Sequence, residues 1–322
     1  MKAWIQVAML AVALGAAPAL APAQGFPNKP MRFVAPFPPG GGTDFVVRPM
    51  AQKMSDSMGQ PVLVDNRPGA DGAIGSEFTA RAAPDGYTFM MGTSGTHVHN
   101  ALFHRKLAYD PLKDFTPITQ STLTIIVLVA NPQSGIASVS DLLERARSQP
   151  GKLGFASSGI GSPQHLAGEL LNKIAGISLF HVPYKGAAPA VTDLLSGIIP
   201  LGFVTASTVI PHIKQGKLRA LAITEAARYP GLPEVASLGE SVRGYEMSTW
   251  SGMFAPARLP QPLLQRLNRE MTAALKSPDI VAKFEAAGLV VVANTPEQFA
   301  AKHASEMTLW RTIVQSLDLA RD

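Results

Sequence analysis

The stretch "PFPPGGGTDF", residues 36–45, separates an apolar run at residues 31–37 from a segment with helical periodicity. The apolar run predicts a buried strand. After the stretch, apolar residues recur at the spacing of one helical face, at Val47, Met50, Ala51, Met54 and Met58. A strand, a glycine-rich loop and a helix in this order predict a βα unit and an α/β fold.

Capping chemistry suggests where this first helix begins and ends. Thr43 or Asp44 is the expected N-cap, and Gly59 is expected to end the helix. Glycines at residues 40–42 let backbone N–H groups approach a ligand without a Cβ in the way. The loop is therefore predicted to be a cradle for an anion.

Motif spacing limits which anion this loop binds. A P-loop requires a lysine after its last glycine, and no lysine follows Gly42. A dinucleotide fingerprint fails because Phe45 stands where its last glycine would be. A carboxylate suits the loop better, since it needs only two or three N–H donors and a hydroxyl group, from Thr43 or Ser162.

The rest of the chain repeats the same pattern of strand, loop and helix, which predicts parallel sheets. Further glycine-rich loops stand at residues 66–72, 157–162 and 184–188. Ser162 is the expected N-cap of the helix after the third loop, with Pro163 at its first position. Helix N-termini stabilise anions, so several converging loops favour a site for an anionic ligand.

Two strands are predicted to cross between two α/β domains. The first crossing is the apolar run at residues 124–132, and the second lies around Trp250, which either packs in the hinge or forms a cleft wall. Residues 24–124 and 250–322 are predicted to form the first domain, and residues 125–249 the second. A hinged pair of this kind has its binding cleft between the domains.

Composition excludes several functions. The 322 residues contain no cysteine, which rules out disulfides, thiolate metal sites and cysteine nucleophiles. The formal net charge is +5, but lysine and arginine are scattered, so no nucleic-acid partner is predicted. Residues 1–23 predict a cleaved signal peptide and a periplasmic protein, the alternative being an uncleaved membrane anchor.

Catalytic and metal-binding alternatives find weaker support. His97, His99 and His104 suggest a zinc site, but no carboxylate follows at a suitable spacing before Asp110, and polar loop histidines are favoured. The sequence also lacks a G-x-S-x-G motif. A hydrolase that uses Ser162 and His165 is a further alternative, but the Ser162 hydroxyl is expected to cap a helix. No enzyme activity, metal or cofactor is predicted.

Several segments together resemble the Bug family, the periplasmic solute-binding receptors of tripartite tricarboxylate transporters. The resemblance runs from about Phe26 to the C-terminus. It is carried by "KPMRFVAPFPPGGGTD", "GQPVLVDNRPGADGAIG", "APDGYTF", "YDPLKDFTPIT", "SSGIGSPQHLAGE", "VPYKGAAPAVTDLLSG" and "WSGMFAPARLP".

The resemblance implies a two-domain type II periplasmic binding protein, or Venus flytrap, that binds a small organic carboxylate. The ligand would lie between the loop at 37–44 and the loop at 157–162 with His165, often through ordered waters, while the loop at 184–187 and Thr205 also contribute. The predicted contacts are Phe37, Pro38, Pro39, Gly40, Gly41, Gly42, Thr43, Asp44, Ser94, His97, Ser157, Ser158, Gly161, Ser162, His165, Tyr184, Lys185, Gly186, Ala187 and Thr205.

Two departures from the family pattern bear on the ligand. Many relatives carry an aspartate near Thr205, where this chain reads "FVTAST", which disfavours a ligand with an amino group. Asp71 replaces a more usual small residue, and its charge would sit poorly beside a second ligand carboxylate. The partner implied is a membrane permease of the tripartite type or, alternatively, a sensor kinase. A monomer without covalent chemistry is expected.

Overall fold

The computed structural model of the protein describes residues 25–103, 106–159 and 162–317. The predicted signal peptide at residues 1–23 and the predicted site residue Gly161 lie outside the described residues. Within them the chain forms two mixed β-sheets flanked by helices, which is the α/β class that the sequence predicts.

The first sheet has six strands. They are β1 (Met31–Ala35), β2 (Val62–Asn66), β3 (Thr88–Thr93), β4 (Phe115–Thr124), β10 (Trp250–Pro256) and β11 (Leu289–Val291). Their order is β11-β4-β10-β3-β1-β2. β1 pairs in parallel with β2 and β3, whereas β10 runs antiparallel to both β3 and β4, and β11 runs antiparallel to β4.

The second sheet has five strands. They are β5 (Ile126–Ala130), β6 (Gly154–Ser157), β7 (Phe180–Pro183), β8 (Leu201–Thr205) and β9 (Arg219–Ile223). Their order is β7-β6-β8-β5-β9. β6 is parallel to β7 and β8, and β5 is antiparallel to β8 and β9.

Parallel sheets were the expectation from the sequence, and this was wrong for the strands that follow a crossing. β5 begins two residues after β4 ends, and its first residue, Ile126, pairs with Thr205 at the carboxyl end of β8. β5 thus enters the second sheet at the carboxyl end of β8, and it must therefore run antiparallel to β8. β10 does the same in the first sheet, where Ser251 pairs with Thr93 at the end of β3.

The two segments that join the sheets lie side by side. Thr124 donates its backbone N–H to the carbonyl of Thr249 at 2.7 Å, just before each chain segment changes sheet. Ile125, at the first crossing, accepts from the N–H of Ala206 at 2.8 Å. Both connections are therefore held by backbone hydrogen bonds, as a paired hinge would be.

Helices cover both sheets. α1 (Gly42–Met58) buries the predicted apolar face, and Gly59 ends it in a left-handed conformation with φ of 68°. The others are α2 (Ala73–Ala80), α3 (Asn100–Phe103), α4 (Val139–Ser148), α5 (Pro163–Ala175), α6 (Ala187–Ser196), α7 (Ala206–Lys214), α8 (Leu238–Ser241), α9 (Gln261–Leu275), α10 (Pro278–Ala286) and α11 (Pro296–Leu317). Among the described residues, none of these helices has the length and apolarity needed to cross a bilayer.

Candidate functional site

A cavity of about 1060 Å³ lies where the carboxyl ends of β1 and β3 and the two crossing segments meet the start of α5. The glycine-rich loop and the start of α1 supply one wall, with Phe37, Gly40, Gly41, Gly42 and Thr43. The end of β3 and the crossing segments supply hydroxyl groups, from Thr93, Ser94, Thr122, Thr124, Thr249 and Ser251, together with Trp250. Across the cavity α5 contributes Pro163, His165 and Leu166.

The glycine-rich loop presents unpaired backbone donors to this cavity. Gly41, in an extended conformation, is the N-cap of α1 and carries no side-chain cap. Within the described chain, the N–H groups of Gly42 and Thr43 have no hydrogen-bond acceptor, as expected for the first turn of a helix. The predicted N-cap at Thr43 or Asp44 is wrong, because the helix already begins at Gly42. The predicted anion cradle nevertheless has the donors it requires.

Asp44 holds this loop in place rather than facing the cavity. Its buried carboxylate accepts from the N–H of Gly40 at 3.0 Å, from Arg48 Nε at 2.6 Å and from Asn66 Nδ2 at 3.1 Å. Gly40 itself adopts a φ of 82°, which favours glycine. Hydrogen bonding from Arg48 outweighs burial and lowers the pKa of Asp44 to about 2, so the carboxylate stays ionised.

We expect Asp44→Ala to lower the free energy of unfolding by about 1–2 kcal/mol, because the part-buried hydrogen bonds from Gly40, Arg48 and Asn66 lose their acceptor. Urea denaturation at neutral pH measures the change. Asp56→Ala on the same helix is the matched control, since Asp56 accepts only from exposed Gln52, at 2.8 Å. An effect of Asp44→Ala no larger than that of Asp56→Ala would show that the carboxylate does not hold the loop.

The lining carries little formal charge. Among the residues that line the cavity in the described chain, Asp71 is the one aspartate, glutamate, lysine or arginine. Some of the hydroxyl groups hold one another in place by hydrogen bonds, since Ser251 Oγ lies 2.6 Å from Thr122 Oγ1 and 3.0 Å from Ser121 Oγ. The cavity wall therefore offers backbone N–H groups and hydroxyls, and no lysine or arginine lines it within the described chain.

The start of α5 has the predicted capping. Ser162 is the N-cap, its hydroxyl accepting from the N–H of His165 at 3.2 Å and donating to the carbonyl of Gly159 at 2.7 Å, and Pro163 follows at the first position. The ring of His165 stacks on that of His181, with 3.9 Å between the centroids. Burial lowers the pKa of His165, and burial together with His165 lowers the pKa of His181 to about 4. Both rings are neutral at neutral pH.

Seven of the predicted site residues line the cavity: Phe37, Gly40, Gly41, Gly42, Thr43, Ser94 and His165. Two of the other predicted residues, Ser158 and Thr205, are joined through Gln164 at the start of α5. Ser158 Oγ donates to Gln164 at 2.8 Å, and Gln164 Nε2 donates to Thr205 Oγ1 at 3.1 Å. The residues that do not line the cavity are Pro38, Pro39, Asp44, His97, Ser157, Ser158, Ser162, Tyr184, Lys185, Gly186, Ala187 and Thr205.

His97 lies in the core and not in the cleft, which corrects the prediction from the sequence. Its ring is fully buried, stacks on Phe254 at 3.9 Å and contacts Phe115 at 4.6 Å. A π-helical turn at Gly95–His99 turns this side chain inward, whereas His99 lines the cavity. Burial lowers the pKa of His97 well below its usual value, so it stays neutral.

Sequence reasoning missed several lining residues on strands. The missed residues are Thr122 and Thr249, next to the points where the chain changes sheet, and Leu289 of β11. Nothing in their local sequence pattern distinguishes them from core positions. Trp250 combines both roles considered for it, because its side chain is buried in the hinge and also lines the cavity.

Two α/β domains joined by paired crossing segments, with helix N-termini facing a cleft between them, define a bilobal solute-binding protein. The chain belongs to the family of receptors of tripartite tricarboxylate transporters, whose family model, "Tripartite tricarboxylate transporter family receptor", matches residues 46–319. It is a periplasmic-type receptor and not an enzyme, as the resemblance to the Bug family implies.

The relatives agree with this assignment. Protein BugT of Bordetella pertussis is 36% identical over 297 residues, covering 91% of this chain and 90% of its own. The R. palustris protein Rpa4515, solved with adipate, is 33% identical with a TM-score of 0.70, covering 92% of this chain and 99% of its own. A TctC solute-binding protein from Polaromonas, solved with no ligand, is 25% identical with a TM-score of 0.83, covering 91% of this chain and 100% of its own.

Proposed function

We propose that this protein captures a small organic carboxylate in the cleft and delivers it to a membrane permease of the tripartite type. The observation that carries the proposal is the pair of acceptor-free N–H groups, at Gly42 and Thr43, on the cavity wall. A helix N-terminus stabilises a negative charge by up to about 2 kcal/mol when partly buried, and each charge-assisted hydrogen bond adds to this.

Features of the lining narrow the ligand class. The hydroxyl groups suit the oxygens of a carboxylate or its bridging waters, and the aromatic and aliphatic side chains of Phe37, Met91 and Leu166 suit a hydrocarbon chain. Adipate, the ligand of the R. palustris relative, combines these two features. Asp71 at the cavity disfavours a second carboxylate beside it, so a second carboxylate would lie near the crossing segments instead.

Closure of the two domains completes the site in this proposal. The chain superposes better on the ligand-free Polaromonas structure than on the adipate complex, although it is less identical to the former. Sequence divergence alone would give the opposite order, and an open arrangement of the two domains in this chain is consistent with the order observed. Closure would bring the loop at 184–187 towards the ligand, and the ligand favours the closed form by its greater affinity for it.

The remaining parts of the proposal concern export and assembly. Residues 1–23 would direct the chain to the periplasm and be removed before Gln24. Residues 24–124 and 250–322 would form one domain and residues 125–249 the other, which agrees with the points at which the strands change sheet. The mature receptor would act as a monomer that presents its closed form to the permease.

A thermal-shift screen of the mature chain tests the proposal. The panel contains mono-, di-, tri- and aromatic carboxylates, amino acids and sugars, with adipamide as the uncharged match for adipate. A ligand at about a hundred times its Kd stabilises the fold by roughly 2.7 kcal/mol, which raises Tm measurably. We expect a shift with one carboxylate class and none with adipamide. A shift produced by sugars or by adipamide alone would contradict carboxylate capture.

A further inference from the structure

Three glutamates and one lysine cluster beside the hinge, outside the groups already assigned to the cleft. Glu225 follows β9 of the second sheet, and Glu306 lies on α11, which packs on β4 of the first sheet. Both side chains are buried, with 6% and 5% of the residue exposed. Lys302, on α11, forms an ion pair with Glu246, which is partly exposed. Lys302 is thus the basic group of a cluster whose glutamates come from both sheets.

Of the two buried carboxyl groups, Glu306 has one oxygen without a hydrogen-bond partner within the described chain. Glu225 accepts from Ser248 Oγ at 3.0 Å and from the N–H of Thr249 at 3.4 Å. Glu306 Oε2 accepts from Trp250 Nε1 at 2.6 Å, whereas Glu306 Oε1 is buried and has no hydrogen-bond partner within the described chain. An ionised carboxylate with a bare buried oxygen is costly, and a proton on that oxygen removes the cost.

The charge balance also favours a bound proton. Lys302 acts electrostatically on both acids, but it forms its ion pair with Glu246, so neither buried acid has an ion pair of its own within the described chain. Burial raises the pKa of Glu225 to about 7 and that of Glu306 to about 7, and Lys302 opposes both shifts without cancelling them. Because the two carboxyl groups interact, their titrations are coupled, and the observed pKa values belong to the pair and not to either residue alone.

Both carboxyl groups touch the wall of the cleft. Thr249 and Trp250, their hydrogen-bond donors, line the cavity in which the ligand is proposed to lie. An anion placed against these residues adds negative charge beside the pair, and a like charge favours the protonated form of a carboxyl group. Proton uptake and anion capture should therefore assist each other.

We propose that Glu225 and Glu306 form a proton-binding site at the hinge, and that capture of an anion in the cleft is linked to proton uptake at this site. The linkage rests on the proposed function, while the proton-binding site itself does not. Binding should weaken as pH rises through neutrality, because the ionised pair repels the ligand.

Other titratable groups near the pair do not account for such a dependence. On α11 burial lowers the pKa of His303, and on the segment before Trp250 burial raises the pKa of Tyr245 well above its usual range. Across the cavity burial lowers the pKa of His165 and His181, and on the near wall it lowers that of His99 to about 4. All these groups stay neutral around neutral pH.

The first arm of the test needs no ligand. Difference infrared spectra of the ligand-free protein between about pH 6 and pH 8 should show a protonated carboxyl band that disappears at the higher pH. Glu306→Gln, which keeps an oxygen acceptor for Trp250, should diminish this band, and Glu144→Gln on the exposed face of α4 should leave it unchanged. Two results overturn the proton-binding site whatever the protein binds. One is a wild-type spectrum without the band, and the other is a band that stays as strong as in the wild type in both Glu306→Gln and Glu225→Gln.

The second arm measures the linkage. The probe is adipate, or the panel carboxylate with the largest thermal shift, titrated by calorimetry over the same pH range. We expect Kd of the wild type to rise about five- to tenfold, the size of a typical coupling between sites, and that of Glu306→Gln to change by less than about twofold. A flat wild-type profile, or a wild-type slope in both glutamine variants, overturns the linkage. Absence of binding by every carboxylate counts against the proposed function, and the infrared band then decides the proton-binding site alone.

Discussion

Gly42→Pro is expected to weaken carboxylate binding by about 10- to 100-fold, the cost of one charge-assisted hydrogen bond of roughly 1.5–3 kcal/mol, while the fold stays intact. Gly42 lines the cavity and its N–H has no acceptor within the described chain, so proline removes a donor that is free for a ligand. Calorimetric titration with the carboxylate found in the thermal-shift screen measures the loss.

Local geometry makes proline acceptable at this position. Gly42 is the first residue of α1, where proline is favoured because its N–H has no partner within the helix. The preceding residue, Gly41, has φ of −82° and ψ of −178°, an extended conformation that suits the residue before a proline. A Cβ at Gly42 meets no atom within 4 Å. Tm of the unliganded variant should therefore equal or exceed that of the wild type.

Gly42→Ala is the matched control, since it adds a Cβ in the same open space but keeps the N–H. Its Kd should stay within about threefold of the wild-type value, well below the loss for one missing donor. Equal losses of affinity in the alanine and proline variants would mean that bulk at the helix start, and not the donor, weakens binding. Unchanged affinity in Gly42→Pro would remove this N–H from the site.

Much of the first wall of the cleft was predictable because its signals are local. The apolar periodicity of α1 lies within one helix, and a glycine-rich loop before a helix leaves N–H groups free wherever it occurs. Ser162 and Pro163 predicted the start of α5 for the same reason. The two-domain arrangement and the carboxylate class were also predicted from the strand pattern and the loops, and the family resemblance added the Venus-flytrap class and the contacts from the second domain.

The part of the cavity wall formed by the crossing segments and β11 could not be predicted, because it forms only when distant strands pair. Trp250 pairs with Leu123, and Leu289 pairs with Thr124, so residues more than a hundred positions apart in the chain become neighbours. No local pattern fixes such a register. His97 was misplaced for a related reason, since the π-helical turn that buries its ring has no recognisable sequence signal.

The packing of α5 against the second sheet is a further contact of this long-range kind, and it decides where His165 lies. A Cβ added at Gly168 would stand 2.2 Å from Cε2 and 2.3 Å from Cζ of Phe155, whose buried ring is itself fixed by Phe203 at 5.7 Å and His181 at 5.2 Å. Since the ring is buried between these neighbours, a side chain at Gly168 requires either the ring or α5 to shift.

We expect Gly168→Ala to lower the free energy of unfolding by about 2–3 kcal/mol, as overpacked cores do, despite the roughly 1 kcal/mol by which alanine favours a helix over glycine. Urea denaturation measures the loss, and Gly42→Ala, whose added Cβ is unobstructed in another helix, should cost nothing. Phe155→Leu removes the two ring atoms that lie closest to the added Cβ. The double variant should therefore be more stable than the sum of the single losses predicts, by about 1 kcal/mol or more. Strict additivity would show that the helix had already moved to relieve the contact, in which case Gly168 does not set the position of His165 in the cleft.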